Sequence, residues 1–231
     1  MIDKMKTAKS SVLALCAVIL ISSLAFMPTF FIVPKTKKSL DSKIRVACVG
    51  DSITESSGYP ENLQVILGTD YLVRNFGVSG STVLLSSDRP YANQPQYQYS
   101  QSFQPSIVVI MLGTNDARAN LYQTISNFSA DYKKLICEYQ TLDNSPAIWL
   151  VTPPPILENE LDLKDVQLQH AIIPQIEQVA NELDLPTIDV NSPLTSYPEY
   201  FGDGVHPSIE AAMLIATAIS DAIIFNNTKA V

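Results

Sequence analysis

The stretch VACVGDSITESSGYP occupies residues 46–60 and changes character abruptly at Gly50. The residues before this glycine are apolar, as in a buried strand, whereas Asp51, Ser52 and Thr54 follow it. Glycine turns a chain and serine or threonine caps a helix, so one interpretation is a strand, a turn and a capped helix. The other interpretation makes Ser52 a nucleophile held at the end of a sheet. The rest of the sequence decides between them.

Short apolar runs alternate with longer amphipathic runs from Ile44 onwards. The runs that we predict as strands are residues 44–50, 71–77, 106–113, 147–155 and 186–190. The predicted helices are residues 60–68, 119–138, about 163–184 and about 208–225. Three of the strands are almost continuously apolar, as expected for strands covered on both faces. This alternation predicts one parallel sheet with helices on both sides.

Residues 86–106 form a long polar stretch to which no helix or strand is assigned. An irregular loop of this length is usually functional or disordered. Its aromatic side chains are expected to pack within the loop, and stacking on sugar rings is the alternative; they are Tyr91, Tyr97, Tyr99 and Phe103.

Four polar motifs follow predicted strands or precede the last helix. They are GDSIT (50–54), NFGVSGS (75–81), GTND (113–116) and DGVHP (203–207). Open parallel sheets bind ligands beyond the carboxyl ends of their strands, so these motifs are expected to meet at one edge. Asp51, next to Ser52, is expected to be a structural hydrogen-bond acceptor, and Asp116 is expected to be a loop or cap residue.

The motifs supply every part that a serine nucleophile needs. A hydroxyl requires a base, and His206 is the natural base near neutral pH, with Ser52 as the nucleophile. A carboxylate must orient that histidine, and Asp203 lies three residues before it. The backbone N–H groups of Ser52 and Gly77, with the side-chain amide of Asn115, are the expected oxyanion donors.

In this order the four motifs resemble the GDSL/SGNH hydrolase family. Ser52, Gly77, Asn115 and His206 match the four residues that give the family its second name, and the resemblance covers about residues 44–225. It implies a flavodoxin-like three-layer α/β/α sandwich with one parallel sheet. It also implies that esters are hydrolysed by a Ser-His-Asp triad.

The segments YPENLQVILG, RPYANQPQY and FQPSIVVIMLGTNDAR resemble the sialate or carbohydrate O-acetylesterase branch of that family. The leading hypothesis is therefore an esterase that removes small acyl groups, above all acetyl, from a small-molecule or glycan ester. The alternatives are a lipid acylhydrolase of the lysophospholipase or thioesterase kind and a catalytically silent glycan-binding domain. The chain departs from the family at Glu55, Ser56 and Ser57, because many members have glycine soon after GDSIT.

Composition excludes several classes of partner. Residues 39–231 contain 9 Lys and Arg and 22 Asp and Glu, a formal charge of −13, so nucleic acid is not an expected partner. The chain has two histidines, and Cys16, Cys48 and Cys137 form no CxxC pair. No metal site and no cofactor is therefore predicted.

The amino terminus is interpreted as a targeting segment. Residues 12–33 are uncharged and follow a short basic start, which fits a signal peptide cut after Ala25 and equally an uncleaved membrane anchor. We predict a leader or anchor at residues 1–38, a linker at 39–43 and the hydrolase domain at 44–231. The domain is then exported, either secreted or periplasmic, or held at the membrane through residues 12–33.

Overall fold

A computed structural model of the chain describes residues 43–229. The predicted leader or anchor and most of the predicted linker lie outside these residues, so both stay predictions. Within the described range, none of the helices combines the length and the apolar character needed to cross a membrane.

Five parallel strands form one sheet. They are β1 (Ile44–Gly50), β2 (Tyr71–Gly77), β3 (Ile107–Met111), β4 (Ala147–Val151) and β5 (Thr187–Ile188), in the spatial order β2-β1-β3-β4-β5. The bounds predicted for β1 and β2 are confirmed, and the other three strands are shorter than predicted. β4 ends before the prolines at residues 153–155, which carry no N–H for a ladder hydrogen bond.

Helices connect the strands and cover both faces of the sheet. They are α1 (Ser52–Ser56), α2 (Tyr59–Leu67), α3 (Pro95–Ser102), α4 (Phe128–Gln140), α5 (Asp165–Gln167), α6 (Ile173–Leu183), α7 (Asn191–Leu194) and α8 (Ile209–Lys229). The helix predicted at 163–184 contains a π turn at Leu168–Ile172. Pro174 follows that turn and cannot donate to the carbonyl four residues earlier, which accounts for the irregular segment. The first part of the helix predicted at 119–138 is 3₁₀-helical, at Ala119–Asn127.

Successive residues of β1 point to opposite faces of the sheet and build two hydrophobic cores. Ala47 and Val49 belong to the core that contains residues of α4 and α6. Val46 and Cys48 belong to the core that contains residues of α2 and α8. The result is the helix–sheet–helix layering that the alternation predicts.

The prediction of an irregular loop at residues 86–106 is wrong, because this stretch contains a 3₁₀ turn at Tyr91–Asn93 and the helix α3. Tyr91 and Tyr97 are buried, and their hydroxyls donate to Phe76 O at 2.6 Å and to Leu135 O at 2.9 Å. Their packing is confirmed. Tyr99, in contrast, is 62% exposed.

Candidate active site

The candidate site lies where β1 and β3 end side by side. The strand order places β1 and β3 next to each other inside the sheet, and the connection after β1 packs on one face whereas α4, in the connection after β3, packs on the other. A crevice therefore opens at the carboxyl ends of these two strands, which is the usual ligand position in such sheets. Ser52 begins α1 two residues after β1 ends, and Asn115 follows β3 by four residues.

Asp51 fixes the start of α1 and so places Ser52. Its Oδ1 accepts from the Ile53 N–H at 3.0 Å, the hydrogen bond of an N-terminal cap. Ser52 is the first residue of the helix and is partly exposed, so its hydroxyl is accessible and its N–H has no acceptor within the helix. The capped-helix interpretation of GDSIT and the nucleophile interpretation are therefore compatible.

His206 connects Ser52 to Asp203. Its Nε2 lies 2.9 Å from Ser52 Oγ, and its Nδ1 lies 2.6 Å from Asp203 Oδ2. An ionised carboxylate only accepts hydrogen bonds, so Nδ1 carries the hydrogen and Nε2 of the neutral ring accepts from the Ser52 hydroxyl. The sequence places these three residues in two distant motifs, and the fold brings them into one hydrogen-bonded chain.

Asp203 is held by more than the histidine ring. Its Oδ1 accepts from the backbone N–H groups of Val205 at 2.9 Å and His206 at 2.8 Å. Partial burial raises the pKa of this carboxyl, but hydrogen bonds from the His206 ring and from these two N–H groups outweigh it and lower the pKa to about 2. Asp203 is therefore ionised across the range in which histidine works as a base.

Asn115 lies at the same edge, in the 3₁₀ turn Asn115–Ala117, and is 5% exposed. Its Nδ2 donates to Ser81 O at 3.1 Å and more weakly to Asp51 Oδ2 at 3.4 Å. Its Oδ1 accepts from Arg118 Nη2 at 3.2 Å. The amide is therefore ordered at both ends and points its NH₂ group towards the residue that precedes Ser52.

Gly77 is predicted to be an oxyanion donor, and in this structure its N–H has a partner two residues earlier in the chain. Its N–H donates to Asn75 Oδ1 at 2.9 Å, so this donor is already engaged. A Cβ on Gly77 would lie 2.2 Å from Glu55 N, which shows that the glycine lets the end of β2 pack against the backbone of α1. Gly77 thus has no free N–H in this structure, its role as an oxyanion donor stays a prediction, and its observed contribution is this close approach.

Gly80, three residues later in the same motif, has such an N–H. Its φ of +75° favours glycine, and among the described residues its N–H has no hydrogen-bond acceptor. Glu55 holds the turn that precedes it, because Oε2 accepts from both the N–H and the hydroxyl of Ser79. The departure from the family pattern at Glu55 therefore has a structural use. The second glycine of NFGVSGS was the sequence signal that could have pointed to this donor.

Two buried carboxylates, Asp51 and Asp116, lie next to Ser52 and Asn115 in the chain. Asp116 accepts from the N–H groups of Val83 at 3.0 Å and Leu84 at 2.9 Å, which ties the GTND turn to the segment after NFGVSGS. Burial raises the pKa of Asp51 to about 6 and that of Asp116 to about 7, against the lowering effect of their hydrogen bonds. Asp51 is a structural acceptor, as expected, and Asp116 lies in the turn after β3, as expected, where it is also an acceptor.

A cleft of about 660 Å³ opens beside His206. It is lined by Glu158, Asn159, Glu160, Leu161, Gly202, Asp203 and His206. Leu161 is the one large apolar side chain in this lining, and three of the lining residues are acidic. In the described part of the chain, no cluster of three or more His, Cys, Asp or Glu side chains is arranged to hold a metal ion.

Comparison with known proteins relates the chain to esterases. An acetylxylan esterase from Xylanibacter ruminicola is 34% identical over 209 residues, which cover 79% of this chain and 44% of that protein. The chain therefore spans less than half the length of this relative.

Solved structures share the fold. A carbohydrate acetylesterase from Sinorhizobium meliloti superposes with a TM-score of 0.63 at 20% identity, covering 79% of this chain and 99% of that one. An acetyl xylan esterase, AlAXEase, superposes with a TM-score of 0.64 at 22% identity, covering 78% of this chain and 100% of that one. At these identities the likeness concerns the fold alone.

The family assignment rests on sequence. Residues 48–212 match the profile of the GDSL-like Lipase/Acylhydrolase family, and the matched segment contains GDSIT, GTND and DGVHP. This range runs from the last three residues of β1 into α8 and so covers the other four strands completely. The chain belongs to the GDSL-like lipase/acylhydrolase family.

Proposed function

We propose that the protein is a serine esterase that removes small acyl groups, above all acetyl, from carbohydrate. The observation that carries the proposal is the hydrogen-bonded chain from Ser52 through His206 to Asp203. It is the arrangement by which a weakly nucleophilic hydroxyl is activated for attack on an ester.

In the first half of the reaction, Ser52 Oγ attacks the ester carbonyl carbon while His206 Nε2 takes the hydroxyl proton. The tetrahedral intermediate then expels the sugar oxygen, which receives that proton from His206. An acyl-serine remains. In the second half, His206 takes a proton from water as the water oxygen attacks the acyl carbon. The intermediate then releases the carboxylic acid as the bond to Ser52 Oγ breaks, and Oγ receives the proton from His206. Asp203 stays ionised throughout and stabilises the imidazolium that forms twice.

The negative charge on the carbonyl oxygen needs donors. We assign the Ser52 N–H, the Gly80 N–H and the Asn115 amide to this role, with Gly80 in place of Gly77. The Gly80 N–H is available, since it has no acceptor among the described residues, whereas Gly77 donates to Asn75. Asn115 supports the assignment because its NH₂ group points to Asp51, beside the nucleophile. The longest of its hydrogen bonds, at 3.4 Å to Asp51, is the one that an oxyanion can most easily replace.

The preference for carbohydrate over lipid rests on two supports. The relative with 34% identity is an acetylxylan esterase. The cleft beside His206 is lined by Glu158, Glu160 and Asp203, which repel the phosphate of a phospholipid headgroup.

An apolar cavity of about 520 Å³ lies at the opposite edge of the sheet, where it is lined by Ile44, Ile107 and Ala147. Because of this position, it cannot receive an acyl chain from Ser52.

The test uses purified protein with two natural substrate classes. Acetylated xylan and lysophosphatidylcholine are incubated in parallel with wild type and Ser52→Ala, and released acetate or fatty acid is measured. We expect Ser52-dependent release of acetate that is much faster than release of fatty acid. The reverse order supports the lipid acylhydrolase. Absence of both products, together with retained binding to the glycan, supports the silent binding domain.

A further inference from the structure

Arg118 contacts the end of the Asn115 amide that faces away from Asp51. Its Nη2 donates to Asn115 Oδ1 at 3.2 Å, while Asn115 Nδ2 donates to Ser81 O and Asp51 Oδ2. The two ends of an amide have nearly the same shape but opposite hydrogen-bonding character. Which end faces Ser52 therefore decides whether Asn115 donates to an oxyanion or repels it.

We infer that Arg118 is a positioning residue that acts through Asn115: it fixes the amide so that the NH₂ group faces the nucleophile, and it strengthens that group as a donor. The inference rests on the proposed esterase function. A guanidinium has donors and no acceptor. It can therefore donate to the carbonyl end of the amide but cannot form a hydrogen bond with the NH₂ end. Asp51, whose Oδ2 is an acceptor, makes the opposite selection at the other end, and Asn115 is held between the two.

Hydrogen bonds in series polarise one another in a dry environment. The positive charge of the Arg118 guanidinium, next to the Asn115 carbonyl oxygen, draws electron density from the amide nitrogen. The N–H groups of the amide thereby become better donors. Asn115 is 5% exposed, so water screens this effect little. Arg118 can thus stabilise a developing oxyanion without touching the substrate.

The backbone around Arg118 is firmly held. Lys164 N donates to Ala117 O at 3.0 Å, Ala119 N donates to Asp162 O at 3.4 Å, and Arg118 itself forms an antiparallel bridge with Leu163. None of these bonds needs the guanidinium. Among the described residues, no carboxylate lies within ion-pairing distance of Arg118, so its removal leaves no charge without a partner. A fold that tolerates loss of this side chain is therefore expected.

Arg89 provides a matched control. It is exposed, its Cδ lies 3.7 Å from the position that a Cβ on Gly80 would occupy, and Arg118 Nη2 lies 4.0 Å from the same position. The two arginines therefore flank one turn, but only Arg118 donates to Asn115. Arg89→Ala removes the same charge from the same region without altering the amide.

The experiment is a double-mutant cycle on acetyl ester hydrolysis with Arg118→Ala, Asn115→Ala and the double variant. We expect Arg118→Ala to lower kcat by about 10-fold or more, a part of the roughly 10²–10³-fold that a whole oxyanion donor contributes, with KM within about twofold. Because Arg118 acts through Asn115, the double variant should be no slower than Asn115→Ala. Added guanidinium ion should restore part of the rate of Arg118→Ala and none of the rate of the double variant. Arg89→Ala should keep the wild-type kcat.

Several results overturn the inference. One is that the losses of kcat in the two single variants multiply in the double variant. Another is that Arg89→Ala lowers kcat as much as Arg118→Ala does. A third is that Arg118→Ala changes KM and leaves kcat unchanged. If Arg118→Ala fails to fold, Arg118→Met, which keeps the length of the chain without the donor, takes its place in the same cycle. A wild-type protein with no esterase activity contradicts the proposed function instead. The Arg118 contact is then still tested by NMR, because the Asn115 side-chain NH₂ resonances should shift in Arg118→Met and stay in place in Arg89→Ala.

Discussion

Nε2 of His206 lies 2.9 Å from Oγ of Ser52, although 154 residues separate them along the chain. Ser52 follows the first strand, and His206 belongs to the loop before the last helix. The two meet because β1 lies inside the sheet and α8 packs against α2 on one of its faces. This hydrogen-bonded pair therefore depends on the completed fold and cannot form in any local segment.

Replacement of the nucleophile should abolish hydrolysis. Ser52→Ala removes the oxygen that we propose as the nucleophile, and the members of such a unit act together, so little activity should remain. Initial rates on an acetyl ester check this. Ser56→Ala is the control, since it removes an exposed hydroxyl from the same helix and should leave the rate unchanged. Retention of more than a few per cent of the wild-type rate in folded Ser52→Ala would contradict the assignment.

Replacement of Asn115 should slow the chemical step and leave substrate binding nearly unchanged. An oxyanion donor acts as charge develops, so Asn115→Ala should lower kcat by roughly 10²–10³-fold at nearly constant KM. Both kinetic constants and the melting temperature are measured on one preparation. If Asn115 only shapes the turn after β3, the variant instead loses thermal stability and KM shifts.

A methyl group on Gly77 should destabilise the fold. The added Cβ would lie 2.2 Å from Glu55 N and 2.6 Å from Glu55 Cα, so the backbones of α1 and β2 must separate. Overpacking of this kind typically costs about 1–3 kcal/mol or more in the free energy of unfolding. Urea unfolding measures it, with Gly202→Ala as the control, since a Cβ there meets nothing within 4 Å. Equal urea midpoints for the two variants would show that the close approach of α1 and β2 does not contribute to the free energy of unfolding.

Stability should fall as the pH rises from about 5 to about 8. The pKa values of Asp51 and Asp116 are raised from 3.8 to about 6 and about 7, so the folded state binds more protons than the unfolded state between these values. The stability that this uptake contributes is fully present below pH 3.8 and is lost as the pH rises through 6 and 7. Asp203 works in the opposite direction, but only between its ordinary pKa of 3.8 and about 2, outside this window.

Melting temperatures across that window check the prediction. Asp51→Asn keeps a side chain that can cap α1 and removes one of the two titrating groups, so its melting temperature should vary less with pH than that of the wild type. A wild-type melting temperature that increases from pH 5 to pH 8 would exclude the two carboxyls as the dominant titrating groups.

Short acyl groups should be preferred. The cleft beside His206 offers Leu161 as its one large apolar side chain, so a long acyl chain gains little by burial there. We expect kcat/KM on p-nitrophenyl esters to fall steeply beyond about four acyl carbons, because each further methylene stays largely in water. Faster turnover of the decanoyl than of the acetyl ester would favour a lipid substrate.

Local pattern accounted for much of the fold. The continuous apolar run that ends at Gly50 and the run that ends at Gly77 gave both strands with their observed bounds. Residues 86–106 were misassigned because α3 has a polar sequence, PQYQYSQS, whose helical periodicity is weak. Its stability comes from partners remote in sequence: Tyr97 donates to Leu135 O, and Ser100 bonds to Tyr139. A single-sequence pattern carries no information about such partners.

The sequence by itself determined which side chains meet at the candidate site. Ser52, Asn115, Asp203 and His206 lie in motifs at strand ends and before the last helix, and parallel strands bring their carboxyl ends to one edge. Only the tertiary structure decided which donors at that edge are free. Gly77 and Gly80 look equivalent in NFGVSGS. The N–H of Gly77 donates to Asn75, whereas the N–H of Gly80 has no acceptor among the described residues. The physical reason is that a hydrogen bond forms only when both partners are in position. The side chains of Asn75, Glu55 and Arg118 take their positions only when α1, β2 and the turn after β3 are packed together.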